Sequence, residues 1–320
     1  MIQNLTTPAQ PAGVFFVKGY TLESYLGEIA ALGTAVCWTF TSVFFTLSGR
    51  RVGSVIVNQA RLLLAILLLS VTHLLVQGAW MPDQANLYRW FWLGLSGIIG
   101  LALGDGFLFQ AFVMIGARRS MLLMALVPII STLIAWLFLG ETLSAVQILA
   151  IGLAVGGVAW VVSEREANGL QVDRRAYWLG ILAGLTGAFG QALGLVVSKK
   201  GMVGGFSPLS ATLMRMIVAA VVIWGFALLR GRAGQSLRAL TDRRASLSIL
   251  GGAIAGPFLG VWLSLIAVNL TQVGIAATLM ALSPIFLLLP SHWIFNERIS
   301  LQSVVGTVVA IGGVAILFLF

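Results

Sequence analysis

Seven residues of this chain are written twice. Leu123-Met124-Ala125-Leu126-Val127-Pro128-Ile129 returns as Leu279-Met280-Ala281-Leu282-Ser283-Pro284-Ile285, with one difference, Val127 against Ser283. The same offset of 156 carries Gly100 onto Gly256, Glu141 onto Glu297, and Gly156-Gly157-Val158-Ala159 onto Gly312-Gly313-Val314-Ala315. A gap-free register over roughly sixty residues makes the chain two copies of one unit, and any fold it adopts must accommodate that duplication.

The medium follows from composition. The chain is 59% hydrophobic and only 9% charged, far from the balance of a soluble domain. Ten apolar runs can be read: 26–47, 53–76, 90–115, 120–139, 143–162, 177–198, 207–229, 247–270, 273–295 and 300–320. Each approaches the roughly 20 residues that a helix needs to cross a bilayer. They are continuously apolar rather than alternating, which excludes a transmembrane β-barrel. Helices remain, because lipid offers the backbone no other hydrogen-bond partners. The expected organisation is an N-terminal lead (1–25), a first five-helix repeat (26–163), a charged linker (164–176) and a second five-helix repeat (177–320). Five is odd, so the second copy enters the membrane inverted. The expected class is therefore an all-α polytopic membrane protein of ten transmembrane helices in two inverted repeats, an architecture that places substrate sites near the midplane where the repeats meet.

Ionisable residues inside spans are expensive, about 2.5–3.5 kcal/mol at the bilayer centre even on insertion scales, and so mark function by default. Asp105, in Gly104-Asp105-Gly106, is the acid deepest in a span, and its repeat-equivalent is Val261. Gly97, Gly100 and Gly104 share one helical face suited to close packing; Asp105 lies about 100° further round, where a cavity could face it. A carboxylate held for structure alone is the competing reading. Arg61 and Arg215 sit early in spans 2 and 7. They either snorkel to the nearest interface or face the same cavity, where two fixed cations and one neutralisable acid favour a carboxylate-bearing or zwitterionic solute over a permanent cation. Trp38, Asn58, Gln59, Gln110, Gln191 and Trp262 are further candidates for the cavity wall. Gln110 is roughly 140° round the helix from Asp105, so those two do not form a same-face pair. Pro128 and Pro284 are expected to kink their helices and are candidates for gating.

The paired Leu-Met-Ala-Leu-X-Pro segments, Gly140-Glu141 and Asn296-Glu297 in the turns that follow, and Arg61 and Arg215 together resemble the drug/metabolite transporter superfamily, and within it the EamA family. The resemblance spans essentially the whole chain from Gly27 and departs from the pattern at Asn296, where Gly is usual. It implies ten helices around a central cavity and export of a small metabolite or drug by alternating access, in a bacterial inner membrane. The alternatives are a channel or facilitator without coupling, and a non-transporting scaffold.

No cofactor or metal is expected. His73 and His292 lack acidic or Cys company at ligand spacing, and the lone Cys37 has no partner for a disulfide. No catalytic constellation is visible, so an enzyme is not expected. The expected partners are a small-molecule solute, the lipid bilayer and protons, with the chain a monomer or weak dimer. The net charge of +9 is not a nucleic-acid signature, because its residues are scattered through short loops. Loops after odd-numbered spans hold thirteen Lys and Arg; the other side holds Lys18, Arg89, Lys199 and Lys200. The positive-inside rule then puts the richer face in the cytoplasm and both termini outside. The resemblance implies cytoplasmic termini instead; with loops this short, the charge count is followed here. Glu141 and Glu297 read as structural carboxylates at helix N-termini.

Overall fold

The computed structural model describes residues 25–83, 85–139, 144–162, 174–271, 276, 279–296 and 299–319. Glu141, Glu297, the N-terminal lead to residue 24 and most of the charged linker lie outside these residues. The described chain is helical throughout its length, with turns between segments.

Helix α1 is Leu26–Val52 and α2 is Ser54–Gln77, separated only by Gly53, whose φ of 91° is open to glycine and costly to other residues. Leu87–Ser96 runs through a π-helical stretch, Gly97–Gly104, into Asp105–Met124. Gly116 breaks that rod with φ 81° and ψ 167°, dividing it into α3 (87–115) and α4, which runs from 117 to Met124 and, after a break, from Val127 to Leu139. Next come α5 (Ala145–Val162), α6 (Arg174–Gly201) and α7 (Pro208–Leu229). After a short surface helix, Ala233–Ala239, α8 runs through Arg243–Ala253, a second π-helical stretch Ile254–Gly260, and Val261–Leu270. Helices α9 (Ser283–Phe295) and α10 (Leu301–Leu319) complete the chain.

Among the described residues, six helices are long and apolar enough to cross a membrane: α1, α2, the Leu87–Met124 rod, α6, α7 and α8. Ala145–Val161, Ser283–Phe295 and Leu301–Ile316 are apolar but shorter. Side chains such as Leu75, Phe91, Leu229 and Trp293 are exposed on the outer surface, the expected face toward lipid.

The duplication is visible in the irregularities. Both π-helical stretches end one residue before the same register position, at Asp105 and at Val261. Both copies of the seven-residue stretch break the helix. Residues 125–126 and 281–282 are turns, with Leu126 N–H donating to Leu123 O and Leu282 N–H to Leu279 O. The kinks expected at Pro128 and Pro284 are therefore full breaks. Each proline sits second in a new helix, in the first turn, where its missing N–H leaves no bond unmade. Asn296 ends α9 at φ 53°, ψ 30°, the left-handed cap that glycine fills most easily and asparagine next. That is the physical reason Asn can stand where Gly is usual.

Contact registers give the direction of each helix. Thr34 Oγ1 donates to Gly260 O and Thr41 Oγ1 to Gly252 O, both at 3.4 Å, so α1 and α8 are antiparallel. Ser96 meets Gly194 while Ile115 meets Gly180, so α3 and α6 are antiparallel. His73 meets Ser210 and Gln59 meets Trp224, which makes α2 antiparallel to α7. Ser54 meets Gln110 and Asn58 meets Ala102, which makes α2 antiparallel to α3. Phe45 on Phe109 and Gly49 on Val113 set α1 parallel to α3. Hence α1, α3 and α7 point one way and α2, α6 and α8 the other. Helices α6, α7 and α8 of the second copy thus oppose their counterparts α1, α2 and α3 of the first. Helices α5 and α10 pack antiparallel through Gly157 and Gly313, each against the other's backbone.

One end of the bundle collects the basic residues. Arg50 and Arg51 end α1, Arg118 and Arg119 follow Gly116, Arg230 and Arg232 lie between α7 and α8, and Arg243 begins α8. An exposed ion pair, Arg51 Nη1 to Asp242 Oδ2 at 3.3 Å, joins the end of α1 to the start of α8. Asp242 caps α8 by accepting from the amides of Arg244 and Ala245. The Ala245 amide foremost, with Arg51 adding to it, holds that carboxyl below the usual carboxylate range.

Candidate functional site

A cavity of about 110 Å³ lies between the two halves. By this measure a single water needs about 10–15 Å³, so there is room for several waters or a small organic solute. Its wall includes both broken helices: Met124, Ala125 and Pro128 from the first copy, and Met280, Ala281 and Pro284 from the second. The duplicated stretch is therefore cavity wall in both repeats. Trp38, Phe45, Phe109 and Phe112 add aromatic surface, and Thr41, Ser42, Ser264 and Ser283 add hydroxyls. The charged groups are Arg61, Asp105 and Arg215, with Gln191 beside them.

Arg61 and Asp105 form a buried ion pair. Arg61 Nη2 lies 2.5 Å from Asp105 Oδ2, with the two side chains 2% and 9% exposed. The same Nη2 donates to Leu101 O at 3.0 Å, and Nε donates to Asn58 Oδ1 at 2.8 Å. The guanidinium also lies over the Phe109 ring, 4.8 Å from its centroid. Asn58 Nδ2 donates to Ala102 O at 3.2 Å. Gln191 Nε2 donates to Gly100 O at 3.3 Å and to Asp105 Oδ1. Three successive carbonyls of the π-helical stretch, Gly100, Leu101 and Ala102, are thus bonded by Gln191, Arg61 and Asn58. Wide turns of this kind gather at functional sites, and here two of the side chains that bond the widened turn, Arg61 and Gln191, also hold Asp105.

Glycines bring these helices close enough for such contacts. A Cβ on Gly97 would stand 2.3 Å from Arg215 O, and one on Gly190 would stand 2.8 Å from the Cα of Gly104. The expected glycine face of α3 is therefore the one that meets α6 and α7, and Asp105 opens onto the cavity beside it.

Arg215 is as buried as Arg61, each 2% exposed, so neither side chain snorkels to an interface. They occupy matching places early in α2 and α7, but Val261 stands where the second half would need an acid. Arg215 Nε is buried without a partner. Among the described residues its guanidinium forms no hydrogen bond or salt bridge.

The other candidates divide. Trp38 and Gln191 line the cavity; Asn58 stands behind it, orienting Arg61. Gln59 is buried off the wall, its Oε1 without a partner and its backbone carbonyl accepting from Trp224. Gln110 and Trp262 are not among the residues that line this cavity. Gln110 is exposed and accepts from Ser54 Oγ at 2.6 Å, near the α1–α2 turn. Trp262 packs on Phe258, with centroids 6.1 Å apart, against an apolar cluster drawn from α2, α3 and α7. The methionines and phenylalanines of the wall carry no polar signal, but Met124 and Met280 were already marked by the repeat.

The chain is similar to known proteins along its length. The model of the EamA-like transporter family matches twice, over residues 25–163 and 178–319. An uncharacterized transporter of Synechocystis sp. is 27% identical over 237 residues, covering 68% of each chain. A probable 4-amino-4-deoxy-L-arabinose-phosphoundecaprenol flippase subunit of Erwinia tasmaniensis is 34% identical over 77 residues, 23% of this chain and 69% of that one. A solved structure titled only as the crystal structure of a protein shares the fold, with a TM-score of 0.60 at 16% identity, covering 92% of this chain and 96% of the other. With its family model matched in both halves, this helical membrane protein belongs to the EamA-like transporter family.

Proposed function

We propose that the protein is a secondary carrier that exports a small organic solute through the cavity between its inverted halves, by alternating access across ten membrane passages. The reading rests on one observation above the others: broken helices from both copies meet at a single cavity holding a buried acid and two buried arginines. In inverted-repeat carriers, discontinuous helices near the midplane form the site, and rocking of one repeat against the other exposes it to each side in turn. The arginine-rich end faces the cytoplasm of a bacterial cell, and both termini face outward.

Asp105 is the coupling group in this reading. Its carboxylate is shared between Arg61 and Gln191, and proton uptake would remove the charge that pairs with Arg61. Release of that pair would loosen the contacts on Leu101 and Gly100, and with them the packing of α3 on α6.

Reconstitution in proteoliposomes tests this. A panel of amino acids, organic acids, sugars and cationic drugs should identify a solute that exchanges at equal pH and accumulates under an imposed pH gradient. Asp105→Asn should reduce gradient-driven accumulation to the level reached without a gradient, far more than it reduces exchange, because Asn keeps the shape but cannot titrate. Undiminished accumulation by this variant removes Asp105 from coupling. Absence of saturable exchange with every class of solute overturns the carrier reading.

A further inference from the structure

Resting on that reading of the cavity, we infer that Arg215 is the anchor for a carboxylate on the transported solute, whose apolar remainder lies against the aromatic and thioether wall. A guanidinium presents a planar fork of donors that matches the two oxygens of a carboxylate, and it stays charged at any physiological pH. Arg215 is 2% exposed, lines the cavity, and has a buried Nε with no partner. Buried cations are nearly always paired, so an unpaired one facing a cavity marks a place for an anion that arrives from outside the fold.

Among the described residues, the surrounding groups bond no carboxylate to Arg215. Asp105 is the acid that faces Arg215, but its Oδ2 accepts from Arg61 and its Oδ1 from Gln191. Gln191 Nε2 donates to Gly100 O and Asp105, and its Oε1, on the same side of Gly100 as Arg215, is a neutral amide oxygen that cannot cancel the charge. On the second repeat, the position equivalent to Asp105 is Val261, which offers nothing to Arg215. The duplication thus supplied two arginines and the chain keeps an acid for one. With the Arg61–Asp105 pair neutral as a unit, the cavity carries one net positive charge, which a single carboxylate cancels.

Geometry holds the anchor still. Its guanidinium lies against Gly100, where a Cβ would sit 3.4 Å from Nη2, and its backbone is pressed on Gly97. Trp38, Phe109, Phe112, Met124 and Met280 supply most of the remaining wall. Such a site takes an amphipathic monoanion and disfavours sugars, which would leave their hydroxyls unpaired, and permanent cations.

The test uses matched pairs: phenylacetate and phenylacetamide, hexanoate and hexanamide, with phenyl phosphate and inorganic phosphate as separate arms. Purified wild-type protein in detergent should gain thermal stability with the carboxylates and not with the amides, and the gain should vanish in Arg215→Gln. In proteoliposomes the carboxylates should inhibit exchange of the identified solute about 10–100-fold more strongly than their amides, the scale of losing hydrogen bonds to a charged group. Arg215→Lys should retain a weaker form of that preference. The stability arm is independent of transport, so it still decides the anchor if no solute exchanges. Equal response to carboxylate and amide in the wild type overturns the proposal, as does a response to the phosphates alone. Should Arg215→Gln fail to fold, the wild-type comparison still stands.

Discussion

Arg61→Met should destabilise the protein by about 3–5 kcal/mol, because it strands Asp105 as an uncompensated carboxylate in the interior. The pair is short and buried, 2.5 Å long with side chains 2% and 9% exposed, and the same guanidinium also satisfies Leu101 O. Removing one partner of such a pair is far costlier than removing both, since apolar replacements of similar size are often neutral. Arg61→Met/Asp105→Val should therefore recover most of the loss, with Val copying what the second repeat already carries at position 261. Thermal unfolding of the three variants in detergent, monitored by tryptophan fluorescence, measures this. Equal losses in the single and double variants would show that Arg61 acts through packing on Phe109 rather than through its charge.

Gly97→Ala should cost about 1–3 kcal/mol, at the upper end of overpacking effects, because the added methyl meets backbone that cannot rotate away. Its Cβ would lie 2.3 Å from Arg215 O and 3.0 Å from both the carbonyl carbon and Cα of that residue. Helices α3 and α7 would have to separate, moving Arg215 and the cavity wall with them. Gly152→Ala is the control: nothing lies within 4 Å of its Cβ position. There the change should be neutral or stabilising by up to about 1 kcal/mol, as expected for a helical glycine. If both variants behave alike, the glycine face of α3 is not a close-packed contact. Solute exchange should fall in Gly97→Ala and remain in Gly152→Ala.

How much of the structure is legible in the sequence depends on range. The repeat and its inversion are periodic signals, and the structure carries both; the prolines signalled a kink, where the structure has a full break before each. Asp105 stood out because a charge among apolar residues needs a reason. Its partner did not: Arg61 lies 44 residues away in sequence, and only the packing of α2 on α3 joins them. The direction of Gln110 follows the helical period, which turned it away from Asp105, but periodicity could not say that its partner would be Ser54. Trp262 looked like a cavity residue because it is far from a span end. The π-helical stretch just before it changes the angular step of α8, so the 3.6-residue period does not hold across it. The exposure of Arg61 and Arg215 was open for a similar reason, since a long side chain two turns inside a span can reach either water or a cavity. Ser236, in the arginine-rich connection, is buried, whereas its neighbour Gln235 is exposed; loop hydrophilicity alone does not separate them.

Two-sided accessibility of a single cavity cysteine tests the central claim most directly. In a Cys37→Ala background, Ser283→Cys places a thiol on the cavity wall, at a position 1% exposed in this conformation, so that reaction requires an opening. Gln235→Cys, on the arginine-rich end, reports vesicle orientation. A membrane-impermeant thiol reagent should modify Gln235→Cys only in inside-out vesicles. It should modify Ser283→Cys in vesicles of either orientation, with the two rates changing in opposite directions when the pH on one side is altered. Reaction of Ser283→Cys from one side only, or rates from both sides that rise and fall together as in an open pore, would contradict alternating access through this cavity.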